Sequence, residues 1–207
     1  MKYNWWAIKI AIATSIIFVL QIFYQPLTDD LALVSASVLS RPWILITHMF
    51  AHASFEHLFF NMFALVFFGS VLEKIIGGKK FLMIYFLSGI IAGFGTLPFY
   101  NASIGASGAI FGIIGALGIL RPMMPVYVNV AVPLPIIFAV ALWAITDFIG
   151  IFAPSGVAVI AHLFGLGFGL VYGYFLRKDY PEVKKPQRKT YPFSETEAKE
   201  WEDKYMK

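Results

Sequence analysis

The sequence of 207 residues contains no cysteine, which excludes disulfide bonds and thiolate metal sites. Charge is also scarce: 14% of the residues are charged and 59% are hydrophobic, which is not the balance of a soluble domain. Of the 28 charged residues, 16 lie from residue 177 onward. These shortages predict a membrane domain over residues 1–176, followed by a short polar tail over residues 177–207.

Six apolar segments are long enough, or nearly so, to cross about 30 Å of hydrocarbon as helices. No small-residue cleavage site follows the first segment, which favours a retained span over a signal peptide. The fourth segment is short. At 1.5 Å per residue, its helix would extend only about 21 Å from the end marked by Arg121 and Pro122. The predicted fold is an all-α membrane protein, a six-transmembrane-helix bundle with a short central fourth helix. The segments lie at about 5–24, 56–76, 81–97, 107–120, 135–152 and 156–176.

The positions of lysine and arginine near the span ends predict the orientation, because cytoplasmic loops are enriched in both. One side carries Arg41 alone, and the pattern therefore predicts an integral cell-membrane protein with both termini in the cytoplasm. The placement of the basic residues behind the net charge of +4 indicates contact with a cytoplasmic membrane surface. The expected partner is therefore the lipid bilayer and not nucleic acid. The other side carries Lys2, Lys9, Lys74, Lys79, Lys80, Arg121, Arg177 and Lys178.

The polar tail contains the segment "FSETEAKEWEDKYMK". Ser194 followed three residues later by Glu197 is the pattern of a capping box. It predicts a short surface helix, and the alternative is a frayed, solvated tail.

Three polar clusters interrupt the apolar spans, where such side chains are costly. They are "THMFAHASFEHLFFN" at 47–61, Ser107, and "AHLFGLGFG" at 161–169. The length of the fourth span places Ser107 roughly 10 Å below the outer surface. His162 lies about six residues, or about 9 Å, into the sixth span, counted from its outer end. A serine and a histidine at one depth could form a hydrogen-bonded pair of nucleophile and base.

Small residues recur beside both side chains, and such stripes let helix backbones approach closely. If the two stripes face each other, Ser107 and His162 meet. The alternative is that the stripes serve packing alone, with Ser107 as a helix cap and His162 as a core histidine. The stripes are Gly108, Gly112 and Gly115 on one span, and Ala161, Gly165, Gly169 and Gly173 on the other.

His57 and Asn61 are spaced i,i+4 and therefore share one face of the second span. Amide and imidazole N–H groups are good donors to an oxyanion. Ser107 opens a helix, so its own backbone N–H is also free, and the helix dipole adds positive potential there. Nucleophile, base and oxyanion donors are the components of an acyl-transfer site.

A metal site is an alternative use of the histidines. "HMFAH" has the i,i+4 histidines of a zinc helix, but Met49 stands where that motif has glutamate. No cysteine or clear carboxylate ligand accompanies His48, His52 and His57. The favoured interpretation is that His48 and His52 form hydrogen bonds within the outer loop and keep the site wet. No metal and no other cofactor is expected.

Together, "GASG" at 105–108, His52-x4-His57-x3-Asn61 and "AHLFGLGFG" resemble the motifs of the rhomboid intramembrane serine proteases. The resemblance covers about residues 5–176. It implies hydrolysis of peptide bonds in or near transmembrane segments of other membrane proteins, by a Ser-His dyad with no acid.

The same resemblance assigns roles to individual residues. Ser107 would be the nucleophile and His162 the general base and acid, while His57, Asn61 and the Ser107 N–H would form the oxyanion hole. Gly105 and His52 would support the site, and Phe111 would stack on the catalytic histidine. The expected substrates are membrane proteins with a single span. Candidates for a lateral gate between spans two and five are Phe59, Phe60 and Trp143.

Two features depart from the family pattern or lie outside it. The first outer loop has Trp43 followed by isoleucine, with Arg41 two residues before it, which puts a loop-anchoring salt bridge in doubt. Asp147 is the one acid of the fifth span, and we expect interfacial capping or loop hydrogen bonding there, not catalysis.

Two other classes of protein stay open: a catalytically inactive rhomboid-like protein that binds transmembrane helices, and a small transporter.

Overall fold

The computed structural model describes residues 4–127, 133–153, 156–182 and 194–206. Lys2 and residues 183–193 of the predicted tail lie outside the described residues. Ten α-helices are formed within the described ranges: α1 Trp6–Phe23, α2 Pro26–Leu31, α3 Ile44–Thr47, α4 Phe55–Ala64, α5 Ser70–Ile76, α6 Gly78–Thr96, α7 Ser107–Leu120, α8 Ile136–Gly150, α9 Val159–Leu176 and α10 Glu195–Tyr205.

Among the described residues, four helical segments are long and apolar enough to cross a membrane: Trp6–Phe23, Phe55–Ile76, Gly78–Thr96 and Val159–Leu176. The second of them joins α4 to α5 through one π-helical turn at Leu65–Gly69. Two shorter apolar helices are α7 and α8. This pattern confirms a mostly helical, multi-pass membrane protein. Whether all six segments span the bilayer stays a prediction.

Helix α7 is the centre of the bundle, and nearly all of its residues are buried. It packs against α9 and α6. A Cβ on Gly165 of α9 would overlap the Gly108 carbonyl oxygen, and a Cβ on Gly169 would overlap that of Gly112. The prediction that the two small-residue stripes face each other is therefore confirmed, because only glycine permits this approach.

Two short antiparallel ladders modify the all-α expectation. β1 (Leu33–Val34) pairs with β2 (Ala102–Ser103), and β3 (Pro125–Tyr127) pairs with β4 (Pro133–Pro135). Their strands lie in connections between the apolar helices, where helical periodicity gives no signal. The first ladder ties the segment just before α7 to the long connection between α1 and α4. It therefore helps to fix where α7 begins.

The beginning of α1 is held by an acid from the first turn of α5. The Glu73 carboxylate, 1% exposed, accepts hydrogen bonds from the backbone N–H groups of Asn4, Trp6 and Ala7 at 3.1, 3.1 and 3.2 Å. The first N–H groups of a helix have no intrahelical partner, so this carboxylate satisfies them and complements the helix dipole. It joins the start of the first apolar helix to the end of the second.

Two smaller polar features lie in segments that the sequence analysis singled out. In the tail, the Ser194 side chain accepts from the Glu197 N–H and Glu197 reaches back to the Ser194 N–H, so α10 begins with a capping box. In the first connection, Arg41 lies 3.9 Å from the Asp30 carboxylate. A salt bridge in this loop, which the sequence put in doubt, thus exists as a contact between a partly buried arginine and an exposed aspartate.

Candidate active site

Ser107 is the first residue of α7, and its hydroxyl points away from its own helix. The N-cap position is Ala106, whose side chain makes no capping hydrogen bond. The Ser107 Oγ lies 2.9 Å from His162 Nε2. The helix-cap alternative for Ser107 is therefore wrong, because the serine lies one residue past the position from which a side chain caps.

His162 lies in the first turn of α9 and is 8% exposed. Its Nε2 faces Ser107, and its Nδ1 lies 3.1 Å from the Oδ2 of Asp147. With the proton on Nδ1, the ring donates to the carboxylate and accepts from the serine hydroxyl. The imidazole is thus held from both sides in one orientation.

The part of the expectation for Asp147 that concerned capping or loop hydrogen bonding was wrong. Asp147 lies in the last turn of α8, where the unpaired backbone groups are carbonyls. A carboxylate has no hydrogen to donate to them, so it cannot cap this end. The end of α8 lies beside the start of α9, since a Cβ on Gly150 would meet Val159 at 3.2 Å. That contact brings the acid to His162, and the only signal in the sequence was a lone acid in an apolar span.

An aromatic ring covers one face of the His162 imidazole. Phe111 lies one helical turn after Ser107, and its ring is stacked on that of His162 at 4.2 Å with an interplanar angle of 4°. Trp143 of α8 packs edge-on against Phe111 at 6.5 Å. The stacking restricts rotation of His162 about its side chain and excludes water from that face.

Gly105 positions the turn that leads into α7. Its φ of +121° is open to glycine and strained for other residues. A Cβ there would also lie 2.8 Å from Cε1 and 2.9 Å from Nε2 of His57. The Gly105 N–H donates to the His48 carbonyl at 2.8 Å. Glycine is therefore required both by the backbone conformation and by the His57 ring.

His57 and Asn61 lie on the same face of α4, as their spacing predicted. Ser54 caps this helix by accepting from the His57 N–H at 3.1 Å. Asn61 Nδ2 donates to the His57 carbonyl at 2.8 Å, and Asn61 is buried. An amide nitrogen carries two hydrogens, so the second one is not used by this bond.

His48 and His52 are both buried, at 5% and 2% exposure, and neither lines the cleft described below. The expectation that they keep the site wet stays a prediction, and His48 lines a small cavity together with Ser107. His48 Nδ1 donates to the Ile44 carbonyl at 2.8 Å, and the His52 ring packs edge-on against His57 at 4.9 Å. The His52 N–H donates to Gln21 Oε1 at 3.1 Å. These contacts make the two histidines supports of the neighbouring loop.

Burial lowers the pKa of both His48 and His52 from 6.5 to about 4, so both rings are neutral at pH 7. Nearby His57 lowers the pKa of His52 further in the same direction. Across the described ranges, no three histidine or acidic side chains are placed to hold a metal ion. The geometry gives no support to the metal alternative.

Three cavities within the described residues reach Ser107: a small one of ≈ 20 Å³ that is also lined by His48, and two larger ones. The first of the larger two is a cleft of ≈ 540 Å³ with a substantial polar lining, which includes Glu56, His57, Asn61, Ser107 and His162. The second is an apolar cavity of ≈ 360 Å³ between α4, α7 and α8. Water and an apolar segment could thus approach the same hydroxyl by different routes. The second cavity is lined by Phe60, Asn61, Phe63, Ala64, Phe68, Ser107, Ile110, Phe111, Ile114 and Trp143.

The gate candidates are not equivalent in this arrangement. Phe60 and Trp143 line the apolar cavity that reaches Ser107. Phe59 lies instead in a groove between α1 and α4, with its ring 52% exposed.

The fold and the site define a multi-pass membrane protein in which a buried histidine is hydrogen-bonded to a serine at the start of a central helix. The rhomboid domain, as a family model, matches residues 39–179. The chain therefore belongs to the rhomboid family.

Two curated relatives illustrate the similarity. The chain is 35% identical over 135 residues to the putative rhomboid protease YdcA of Bacillus subtilis (strain 168), covering 64% of this chain and 66% of the relative. It is 27% identical over 157 residues to the rhomboid protease GlpG of Yersinia pseudotuberculosis serotype I (strain IP32953), covering 72% of this chain and 56% of the relative. The matches thus span less than two thirds of each relative's own length.

Proposed function

We propose that this protein is an intramembrane serine endopeptidase that hydrolyses peptide bonds in or near the transmembrane segments of other membrane proteins. The observation that carries the proposal is the 2.9 Å contact between Ser107 Oγ and His162 Nε2. A nucleophile within hydrogen-bond reach of its base is the signature of covalent acyl-transfer catalysis. Membership of the rhomboid family and the names of its relatives support the same activity.

In the proposed reaction, His162 Nε2 accepts the Ser107 hydroxyl proton while Oγ attacks the scissile carbonyl carbon. The resulting tetrahedral intermediate collapses when His162 returns that proton to the leaving amine. Water entering through the polar cleft then attacks the acyl-enzyme while His162 Nε2 accepts its proton. His162 returns that proton to Ser107 Oγ as the bond to the acyl carbon breaks and the new carboxylic acid leaves. The serine hydroxyl is thereby regenerated, and no metal or other cofactor takes part.

The developing oxyanion needs donors that are in place before the reaction. The Ser107 N–H belongs to the first turn of α7, where backbone donors have no intrahelical partner. The positive end of the α7 dipole adds to this potential. Asn61 would contribute its second amide hydrogen, and His57 would contribute its ring N–H, since both line the cleft that contains Ser107.

The expected substrates are single-span membrane proteins. An intact helix hides its carbonyls in backbone hydrogen bonds, so the segment to be cut must unwind before Ser107 can attack it. The apolar cavity lined by Phe60 and Trp143 is a suitable lateral entrance for such a segment. The proposal includes six spans in the bilayer and both termini in the cytoplasm. Nucleic acid is not an expected partner.

Labelling with a fluorophosphonate tests the activated serine directly. The purified protein, in detergent and with a chelator present, should be labelled, and Ser107→Ala and His162→Ala should not. Ser40→Ala is a matched control, because Ser40 is an exposed loop serine whose hydroxyl donates to the Ser37 carbonyl at 3.0 Å. Unlabelled parent protein would favour the catalytically inactive, helix-binding alternative.

A further inference from the structure

Asp147, the acid beside His162, lies where the electrostatic potential of its own helix is unfavourable for a negative charge. Asp147 lies in the last turn of α8, where the helix dipole repels an anion, and its side chain is 14% exposed. An ionised carboxylate within an apolar span is costly unless it is paired. Its Oδ2 lies 3.1 Å from His162 Nδ1. The pairing that offsets this cost is therefore with the proposed general base.

His162 also needs such a partner. The imidazole lies in the first turn of α9 and faces Ser107, which begins α7. The positive ends of two helix dipoles thus meet at the ring, and both disfavour the imidazolium that forms when His162 takes the serine proton. Of the ionisable side chains near the ring, His57 supplies no negative charge and Glu56 is exposed at the cleft. The Asp147 carboxylate is the anion in contact with the ring.

We propose that Asp147 is a positioning residue for His162, so that this protein works with a Ser107–His162–Asp147 triad and not with the Ser-His dyad that family resemblance implies. Asp147 accepts the hydrogen bond from Nδ1–H, which fixes the tautomer whose Nε2 lone pair faces Ser107. It also balances the charge of the imidazolium during acylation and deacylation. The inference rests on the proposed function and adds to it the acid of the site.

The carboxylate keeps its negative charge throughout. The serine proton moves to Nε2 and later to the leaving amine, and the Nδ1 proton stays on the ring. Asp147 lines none of the three cavities that reach Ser107. Its loss should therefore lower kcat and leave KM for a single-span substrate unchanged.

The test compares Asp147→Asn with the parent protein in liposomes. Asparagine preserves the shape but presents an N–H to Nδ1, which favours the wrong tautomer; we expect kcat to fall about 10²- to 10⁴-fold with KM unchanged. Asp30→Asn is the matched control: it removes an acid from the connection between α1 and α4, where Asp30 pairs with Arg41, and should cleave at the parent rate. Asp147→Ala should repeat the loss if the asparagine variant does not fold.

The second readout is independent of turnover. The chain has four histidines, so nitrogen-15 NMR of labelled histidine can follow His162 after assignment with His162→Ala. The parent should hold its neutral His162 with the proton on Nδ1, and Asp147→Asn should shift the population toward Nε2–H. A parent ring protonated mainly on Nε2, or a folded Asp147→Asn that cleaves within threefold of the parent, overturns the inference. If Ser107→Ala still cleaves, the proposed function itself fails, whatever Asp147 does.

Discussion

Gly165 in α9 faces Gly108 in α7 so closely that a Cβ on Gly165 would overlap the Gly108 carbonyl oxygen. Ser107 precedes Gly108, and His162 lies three residues before Gly165. The backbone contact between the two glycines therefore sets the distance between the serine hydroxyl and the imidazole.

Gly165→Val should separate α9 from α7 and lower both stability and activity. Overpacking a tight contact typically costs about 1–3 kcal/mol, and here a backbone atom is in the way. We expect a lower midpoint of thermal unfolding in detergent and a cleavage rate that falls with His162 intact. Gly167→Val is the control on the same helix, since a Cβ at Gly167 meets nothing within 4 Å. Equal stability and activity in the two variants would contradict the packing account.

The glycine spacing made this contact between two helices predictable from the sequence. The contacts made at helix ends could not be predicted in the same way. The small-residue stripes and the match in depth of Ser107 and His162 can be read along single helices. The Asp147 contact depends on how the end of α8 meets the start of α9, and no periodicity encodes that junction. The backbone of His52 is likewise anchored by Gln21, which is 31 residues away in the chain.

Gly105→Ala should impair the turn that leads into α7. The residue has a φ of +121°, and an added Cβ would press on the His57 ring. Strain in a sparsely populated backbone region costs about 1–3 kcal/mol, and displacement of His57 or Ser107 should lower kcat further. Gly156→Ala separates the two effects, since Gly156 has a φ of +74° but open space around its Cβ position. Should both variants lose the same activity and stability, the His57 contact does not matter.

Asn61→Ala should keep the fold and slow cleavage. Removal of one oxyanion donor typically lowers kcat by about 10²–10³-fold, and the remaining donors can reduce that loss. The measurement is kcat on a single-span substrate, with the unfolding midpoint as a check on folding. The combined His57→Ala and Asn61→Ala variant should be slower still. Parent-level cleavage by this double variant would show that neither side chain stabilises the oxyanion.

The orientation can be tested with single cysteines, because the chain has none of its own. Asn101→Cys should react with an impermeant thiol reagent added to intact cells, since it lies in the connection predicted to face outward. Glu182→Cys should react only after the membrane is opened, since it follows the last apolar helix. Both positions are exposed, so accessibility does not differ between them. The reverse pattern of labelling would invert the proposed topology.

The central claim is that Ser107 and His162 act as one catalytic unit. The most direct measurement is cleavage of a single-span substrate in liposomes, with chelator present, by the parent, Ser107→Ala, His162→Ala and the double variant. Each single variant should abolish cleavage while the protein stays folded, and the double variant should be no worse, because groups that act as a unit are not additive. A folded Ser107→Ala protein that cuts at the parent rate would contradict the account.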